Sequence, residues 1–118
     1  MEAKAHARTV GMSPRKMRLV IDLIRGKSVD EAYSLLRFCK KAAAGPIAKT
    51  LRSAVSNAQQ KAGQDDRVVD ADDLYVRQAY VNEGSTSKRW RARARGSASP
   101  IMRRTSHVTI VLDERNGR

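Results

Sequence analysis

The sequence predicts an α+β protein in which three helices pack on a small antiparallel sheet, with one basic element protruding. Three observations predict it. Apolar residues recur at helical spacing in three successive stretches before residue 63, each with its own punctuation. From residue 74 the pattern changes to the period of a strand, in segments rich in β-branched and aromatic residues. The last observation is charge: 24 Lys and Arg stand against 12 Asp and Glu, a net +12 over 118 residues.

A chain of this length makes one domain with a modest core and little room for a large cleft. Its charge opposes compaction and favours a polyanionic partner: RNA, DNA or an anionic membrane surface. No apolar run approaches the roughly 20 residues of a spanning helix, so no membrane partner is expected. The opening "MEAKAHARTVGMSPRK" lacks the apolar stretch of a secretory signal. Cys39 is the single cysteine, which fits a reducing compartment. Hydrophobic residues make up 41%, enough for a folded protein.

The first ten residues read as a short basic edge strand. In "MSPRKMRLVIDLIRG", Ser13 N-caps a helix, Pro14 takes its first position, and Gly26 lies past its end. Met17, Val20, Ile21 and Ile24 form its apolar stripe. Arg15, Arg18 and Arg25 lie off the stripe with Lys16 at its edge, predicting a basic outer face. The second helix starts with Ser28 and Glu31 in a capping-box pattern and buries Val29, Ala32, Leu36 and Cys39, with Tyr33 and Leu35 beside them. The third spans about 43–62, with Ile47, Leu51, Ala54, Val55 and Ala58 inward and Gly63 as its stop. Pro46 sits in its first turn or kinks it. After a polar connection, 74–81 and 107–112 read as strands. Body and arm then divide at about 1–81 plus 105–113 for the globular part and 82–104 for an extended hairpin.

The arm holds "SKRWRARARG", with arginine at 89, 91, 93 and 95, and no acidic residue follows Glu83 until Asp113. On a strand these arginines share one face, and Trp90, Ala92 and Ala94 share the other. A helix would smear the charge around its axis. Such a ribbon suits an RNA crevice, guanidiniums on phosphates and Trp90 on a base or in a pocket, with Gly96 turning the tip. The plain alternative is a solvated, disordered basic tract, against which the flanking strands argue. The isolated ribbon is expected to be poorly ordered without its partner.

Elsewhere the residues point to no enzyme, metal or cofactor. Asp65, Asp66, Asp70, Asp72 and Asp73 lack the ligand order of a calcium loop and read as turn and capping residues. Ser106 and His107 are adjacent on a strand, so they face opposite ways, and His107 is expected to bond backbone or RNA. His6 stands alone, and Cys39 reads as a buried structural thiol. No P-loop, dinucleotide glycine pattern or HExxH occurs, and one cysteine excludes zinc modules.

Taken in order, "MSPRKMRLVIDLIRGKSVDEA", "SAVSNAQ", "YVNEG…KR", "RARARGSA" and "RRTSHVTIVL" resemble the bacterial-type L-twenty-two family of large-subunit ribosomal proteins, over about residues 5–112. The resemblance implies three helices on a three-stranded antiparallel sheet, plus a long β-hairpin. It implies binding to 23S-type rRNA and a part in early subunit assembly. The body would sit near the mouth of the nascent-peptide exit tunnel, with the hairpin tip lining the wall. Large-subunit rRNA, neighbouring ribosomal proteins and the nascent polypeptide would be its partners, in the ribosome of a cytoplasm or an organelle, with no free homo-oligomer.

By position, the rRNA-binding residues implied are Arg8, Ser13, Arg15, Lys16, Arg18, Lys88, Arg89, Trp90, Arg91, Arg93, Arg95, Arg103, Arg104, Thr105, Ser106 and His107. The tunnel-lining tip implied is Arg91, Ala92, Arg93, Ala94, Arg95 and Gly96. Ser85 and Ala92 stand where the family usually has proline, Ser97 and Pro100 where basic residues are common, and Trp90 where an aliphatic residue is usual. Lost prolines add backbone freedom and N–H donors. The reading set against this family is a general basic, nucleoid-type nucleic-acid-binding protein.

Overall fold

The computed structural model describes residues 2–66 and 70–114. The chain runs β1 (Glu2–Val10), α1 (Pro14–Ile24), α2 (Val29–Phe38), α3 (Ala44–Gln64), β2 (Leu74–Ala92) and β3 (Ala98–Glu114), with 3-10 turns at Ala71–Asp73 and Ala94–Gly96. Both strand pairings are antiparallel in the order β1-β3-β2, so the last strand is the central one. The expected α+β class and its three-stranded sheet are both present.

Local chemistry sets the helix boundaries. The Ser13 and Ser28 hydroxyls accept the Lys16 and Glu31 amides at 3.4 and 3.3 Å, and Gly26 takes φ +80° beyond α1. Pro46 is in the first turn of α3 and does not kink it; its carbonyl accepts the Thr50 hydroxyl at 2.9 Å. Gly63 does not end this helix, which continues to Gln64. A lone glycine costs a helix only about 1 kcal/mol, and Ala58 and Ala62 hold the last turns against the core. Cys39 lies just past α2 and is half-buried against the core, less enclosed than its place on a helical stripe predicts.

All three helices cover one face of the sheet. Ala5, Ile110 and Ala79 form one row across it, and Ala7, Val108 and Val81 the next. Met17, Val20, Ile21 and Ile24 of α1 pack there without exposure, as do Ile47, Leu51 and Ala54 of α3. Ala3 and Ala5 of β1 and Ala54, Ala58 and Ala62 of α3 are buried in the same core, and such small side chains let this helix pack close to its strand. Each large aliphatic side chain so buried contributes about 1.5–3 kcal/mol.

Long side chains from the helices close both edges of the sheet. Arg18 donates Nε and Nη2 to the Val81 carbonyl at 3.2 and 2.9 Å, and Arg25 grips the Ala79 carbonyl at 3.0 and 2.7 Å. Gly26 and Lys27 add backbone bonds to Val76, at 2.9 and 2.8 Å. On the opposite edge, Asn57 and Lys61 donate to the Lys4 and Glu2 carbonyls at 2.8 and 2.7 Å. The basic outer face expected of α1 is therefore modified. Arg15 and Lys16 remain exposed on it, whereas Arg18 and Arg25, one helical face apart, reach across to a strand edge. A bare edge is a template for strand addition, and here its carbonyls are spoken for.

The end of the sheet far from the hairpin carries Glu2 opposite Asp113, with Arg77, the extra residue of a β-bulge, ion-paired to both. Partial burial alone would raise the Asp113 carboxyl, but the Glu114 amide and nearby positive charge, the Arg77 guanidinium included, outweigh it and hold the group below its ordinary value of 3.8. The linked stability is present above that value and is lost as pH falls through the lowered one. Asp113→Asn is therefore expected to flatten the acid limb of a stability-versus-pH curve, by no more than about 1 kcal/mol for so exposed a cluster. Ile110→Ala, at the middle of the central strand, is expected to cost about 2–5 kcal/mol in urea denaturation.

Candidate nucleic-acid interface

Beyond the body, β2 and β3 continue as a two-stranded ribbon, paired from Thr86↔Arg104 to Ala92↔Ala98. The ribbon gives the molecule its extents of 67 × 27 × 17 Å and a radius of gyration of 17.7 Å. A compact chain of this length would have a radius of about 13.5 Å. No helix covers it, and nearly every side chain along it is exposed.

Cross-strand register assigns its faces, because directly opposed residues point the same way. Ser87, Arg89 and Arg91 share one face with Arg103, Ile101 and Ser99. Thr86, Lys88, Trp90 and Ala92 share the other with Arg104, Met102, Pro100 and Ala98. The expected split holds for Arg89, Arg91, Trp90 and Ala92. It fails at the tip. Arg93 is still extended, but Ala94–Gly96 forms a 3-10 turn, and Arg95 adopts φ +63°. Alternation ends there because the chain must reverse. Arg95 and Gly96 (φ +74°) are successive left-handed residues, a conformation that is free for glycine and costs arginine about 1–2 kcal/mol. The Arg93 amide closes the loop on the Ser97 carbonyl at 2.6 Å, and the Ser97 hydroxyl donates to Ala94 at 3.0 Å. Ala92 is the last paired residue, so the position where proline was expected is here a strand end.

Where the ribbon leaves the body, β3 is bulged against on both sides. Gly84 and Ser85 of β2 oppose Thr105, and Arg8 and Thr9 of β1 oppose His107. The Thr105 hydroxyl donates to the Ser85 carbonyl at 2.6 Å. Ser106 is fully buried and donates to the Met12 carbonyl at 2.5 Å, tying the ribbon's root to the chain entering α1. The Thr9 amide donates to His107 Nδ1 at 3.0 Å, the backbone bond expected of this ring. A Cβ on Gly84 would overlap Thr105 Oγ1 and crowd the His107 ring, so any larger residue here displaces the Thr105 side chain from its bond to Ser85.

The residues assigned from the sequence therefore divide into groups. Lys88, Arg89, Trp90, Arg91, Arg103 and Arg104 lie together on the exposed ribbon, with Arg93 and Arg95 at its tip. Arg8, Arg15 and Lys16 are exposed near its root. Ser13, Arg18, Thr105, Ser106 and His107 commit polar atoms to bonds within the protein. Trp90 is 68% exposed and Met102 43%, an apolar pair amid cations. His6 does not stand alone, since its Nδ1 lies 3.0 Å from Thr109 Oγ1, and the register places it with Tyr80 and Asn82, to which the sequence assigns no role, beside Thr109 and His107 on the sheet face away from the helices. Their period-two spacing was the available signal.

Fold and charge define the class, a small α+β body carrying a long, cation-rich β-ribbon. Comparison of sequences makes it particular. The chain belongs to the ribosomal protein L22p/L17e family, whose profile matches residues 5–113. It is 57% identical over 114 residues to the large ribosomal subunit protein uL22 of Lactobacillus delbrueckii subsp. bulgaricus, covering 97% of this chain and 93% of that one. The protein of the same name from Bifidobacterium longum is 50% identical over 117 residues, covering 99% and 98%. This is a family of structural ribosomal proteins rather than of enzymes. Among the described residues, no three His, Cys, Asp or Glu side chains gather as a metal site, and no helix is long and apolar enough to cross a membrane.

Two substitutions test the root. Gly84→Ala is expected to destabilise the protein by about 1–3 kcal/mol, and Thr105→Ala in the same chain to recover part of that loss, measured as a double-mutant cycle. Ser106→Ala leaves the Met12 carbonyl without its buried donor and is expected to cost about 1–3 kcal/mol in thermal or urea melts.

Proposed function

We propose that this protein is a structural constituent of the large ribosomal subunit, binding 23S-type rRNA through its ribbon and the basic residues at the ribbon's root. One observation carries the reading. Lys88, Arg89, Arg91, Arg93, Arg95, Arg103 and Arg104 stand on an exposed two-stranded arm with no acidic residue between Glu83 and Asp113 to answer them. Seven fixed cations on a ribbon narrow enough to enter a crevice suit an RNA fold that converges on them from several sides. Arginine forks take phosphates, and the open ring of Trp90 offers a stacking surface.

The family's position in the subunit extends this reading. The body lies near the exit-tunnel mouth, and the tip, residues 91–96, contributes to the wall past which nascent chains move. Early entry into assembly follows from an arm that several RNA segments must fold around. Leu19, Leu23 and Phe38, exposed on the helices at 58%, 46% and 79%, offer contacts to neighbouring ribosomal proteins. The protein acts in the ribosome as a scaffold, without cofactor or catalysis.

Binding to a large-subunit rRNA transcript tests this, with random-sequence duplex DNA as the competitor. The transcript is expected to win by orders of magnitude, and affinity should fall steeply with salt. Arg89→Ala, Arg91→Ala and Arg103→Ala together should reduce the salt slope by about two to three and leave helix content unchanged. Equal affinity for the duplex would instead favour a nucleoid-type binder.

A further inference from the structure

The helices cover only one face of the sheet. On the other face, His6, Thr109 and Tyr80 stand in one row across the three strands, and Asn82 and His107 in the next. With Arg8 from the β1 bulge they line an open hollow of about 280 Å³. An antiparallel sheet can simply face water, and then its outer residues need be no more than polar. This face is more particular. Tyr80, on the edge strand β2, keeps 42% of its surface exposed.

The rings around it are fixed. His6 Nδ1 is engaged with Thr109 Oγ1 at 3.0 Å, so only its Nε2 remains for another partner. His107 accepts the Thr9 amide on Nδ1, which puts the proton of the neutral ring on Nε2. That edge lies over Gly84, which has no side chain to cover it. The lining thus offers one aromatic surface, a side-chain amide, two imidazole edges and a guanidinium, and no carboxylate. The nearest acids on this face, Glu2 and Asp113, lie at the far end, paired with Arg77.

We propose that this face is a second RNA-contact surface, which takes one unpaired nucleotide with its base stacked on Tyr80 and its phosphate on Arg8. Stacking on an aromatic ring set in a sheet, with amide and imidazole groups at the base edge, is how single-stranded segments are held where duplex contacts are not. Charge complementarity selects the occupant: the one charged group of the lining is the Arg8 guanidinium, no carboxylate stands beside it, and a phosphate answers it where an acidic protein surface would have no reason to stack on the ring. The inference rests on the rRNA-binding reading above and deepens it at Arg8 and His107, by naming what the sheet face beside the ribbon's root would hold.

The test uses the full chain and a large-subunit rRNA transcript, with filter-binding titrations at several salt concentrations. Tyr80→Leu is expected to weaken binding about five- to a hundred-fold, as for loss of one stacked base, without changing the salt slope. Tyr80→Phe, which keeps the ring, should bind like the wild type. Thermal melts of both free variants separate a binding effect from a folding one. If the wild type fails to bind the transcript, the rRNA reading itself falls. If the wild type binds and Tyr80→Leu binds equally well, only the sheet-face site is overturned. Loss in Tyr80→Phe as large as in Tyr80→Leu would overturn stacking as its basis. Normal transcript binding by Tyr80→Leu with reduced occupancy in assembled subunits would assign the face to a protein neighbour instead.

Discussion

Everything outside the compact body hangs from three consecutive residues of the central strand. Thr105, Ser106 and His107 each spend a polar atom on a different neighbour: the Ser85 carbonyl of β2, the Met12 carbonyl before α1 and the Thr9 amide of β1. Both edge strands bulge at this level, and the bare Gly84 leaves room for the Thr105 hydroxyl and the His107 ring. The bulges increase local twist and redirect the paired strands, so the ribbon leaves the sheet at a set angle rather than as a loose loop. An arm this long needs a fixed direction at its root more than it needs rigidity at its tip. An angular error at the root grows with every residue beyond it.

The same triad shows how far sequence could lead. The helix starts were legible because Ser13, Pro14 and Ser28 act within a few residues of themselves, and local chemistry needs no knowledge of the fold. Strand period was legible for the same reason. Arg18 and Arg25 were read as an outer face because periodicity gives a residue's direction from the axis but not how far a long side chain reaches back. The role of Ser106 was hidden because its acceptor, Met12, is 94 residues away. Gly96 turns the tip as its type predicts, but the alternation stops at Arg93 because a reversal of chain direction overrides strand period and Arg95 carries no turn signature of its own. Of the candidate interface, the cations and their face were visible in the sequence; the row of His6, Thr109 and Tyr80 needed the register.

Body and ribbon also divide the energetics. Helices, alanine contacts and aliphatic side chains in the body bury the apolar surface, while the ribbon buries almost none and holds most of the unanswered charge. Substitutions in the first therefore act on stability and those in the second on binding. The root is where both meet, and Gly84 is the position where one added carbon disturbs them together.

The capped edges have a consequence for the chain between its synthesis and its incorporation. In the body, Arg18, Arg25, Asn57 and Lys61 occupy the Val81, Ala79, Lys4 and Glu2 carbonyls on the two edge strands, which blunts both edges against strand addition. Past residue 83 no helix is near, and both rims of the ribbon are open. Two such ribbons brought side by side would set seven cations against seven. The charge that suits the arm to a nucleic acid is also what keeps free copies from zipping together. It is a solubility device for as long as the protein is alone.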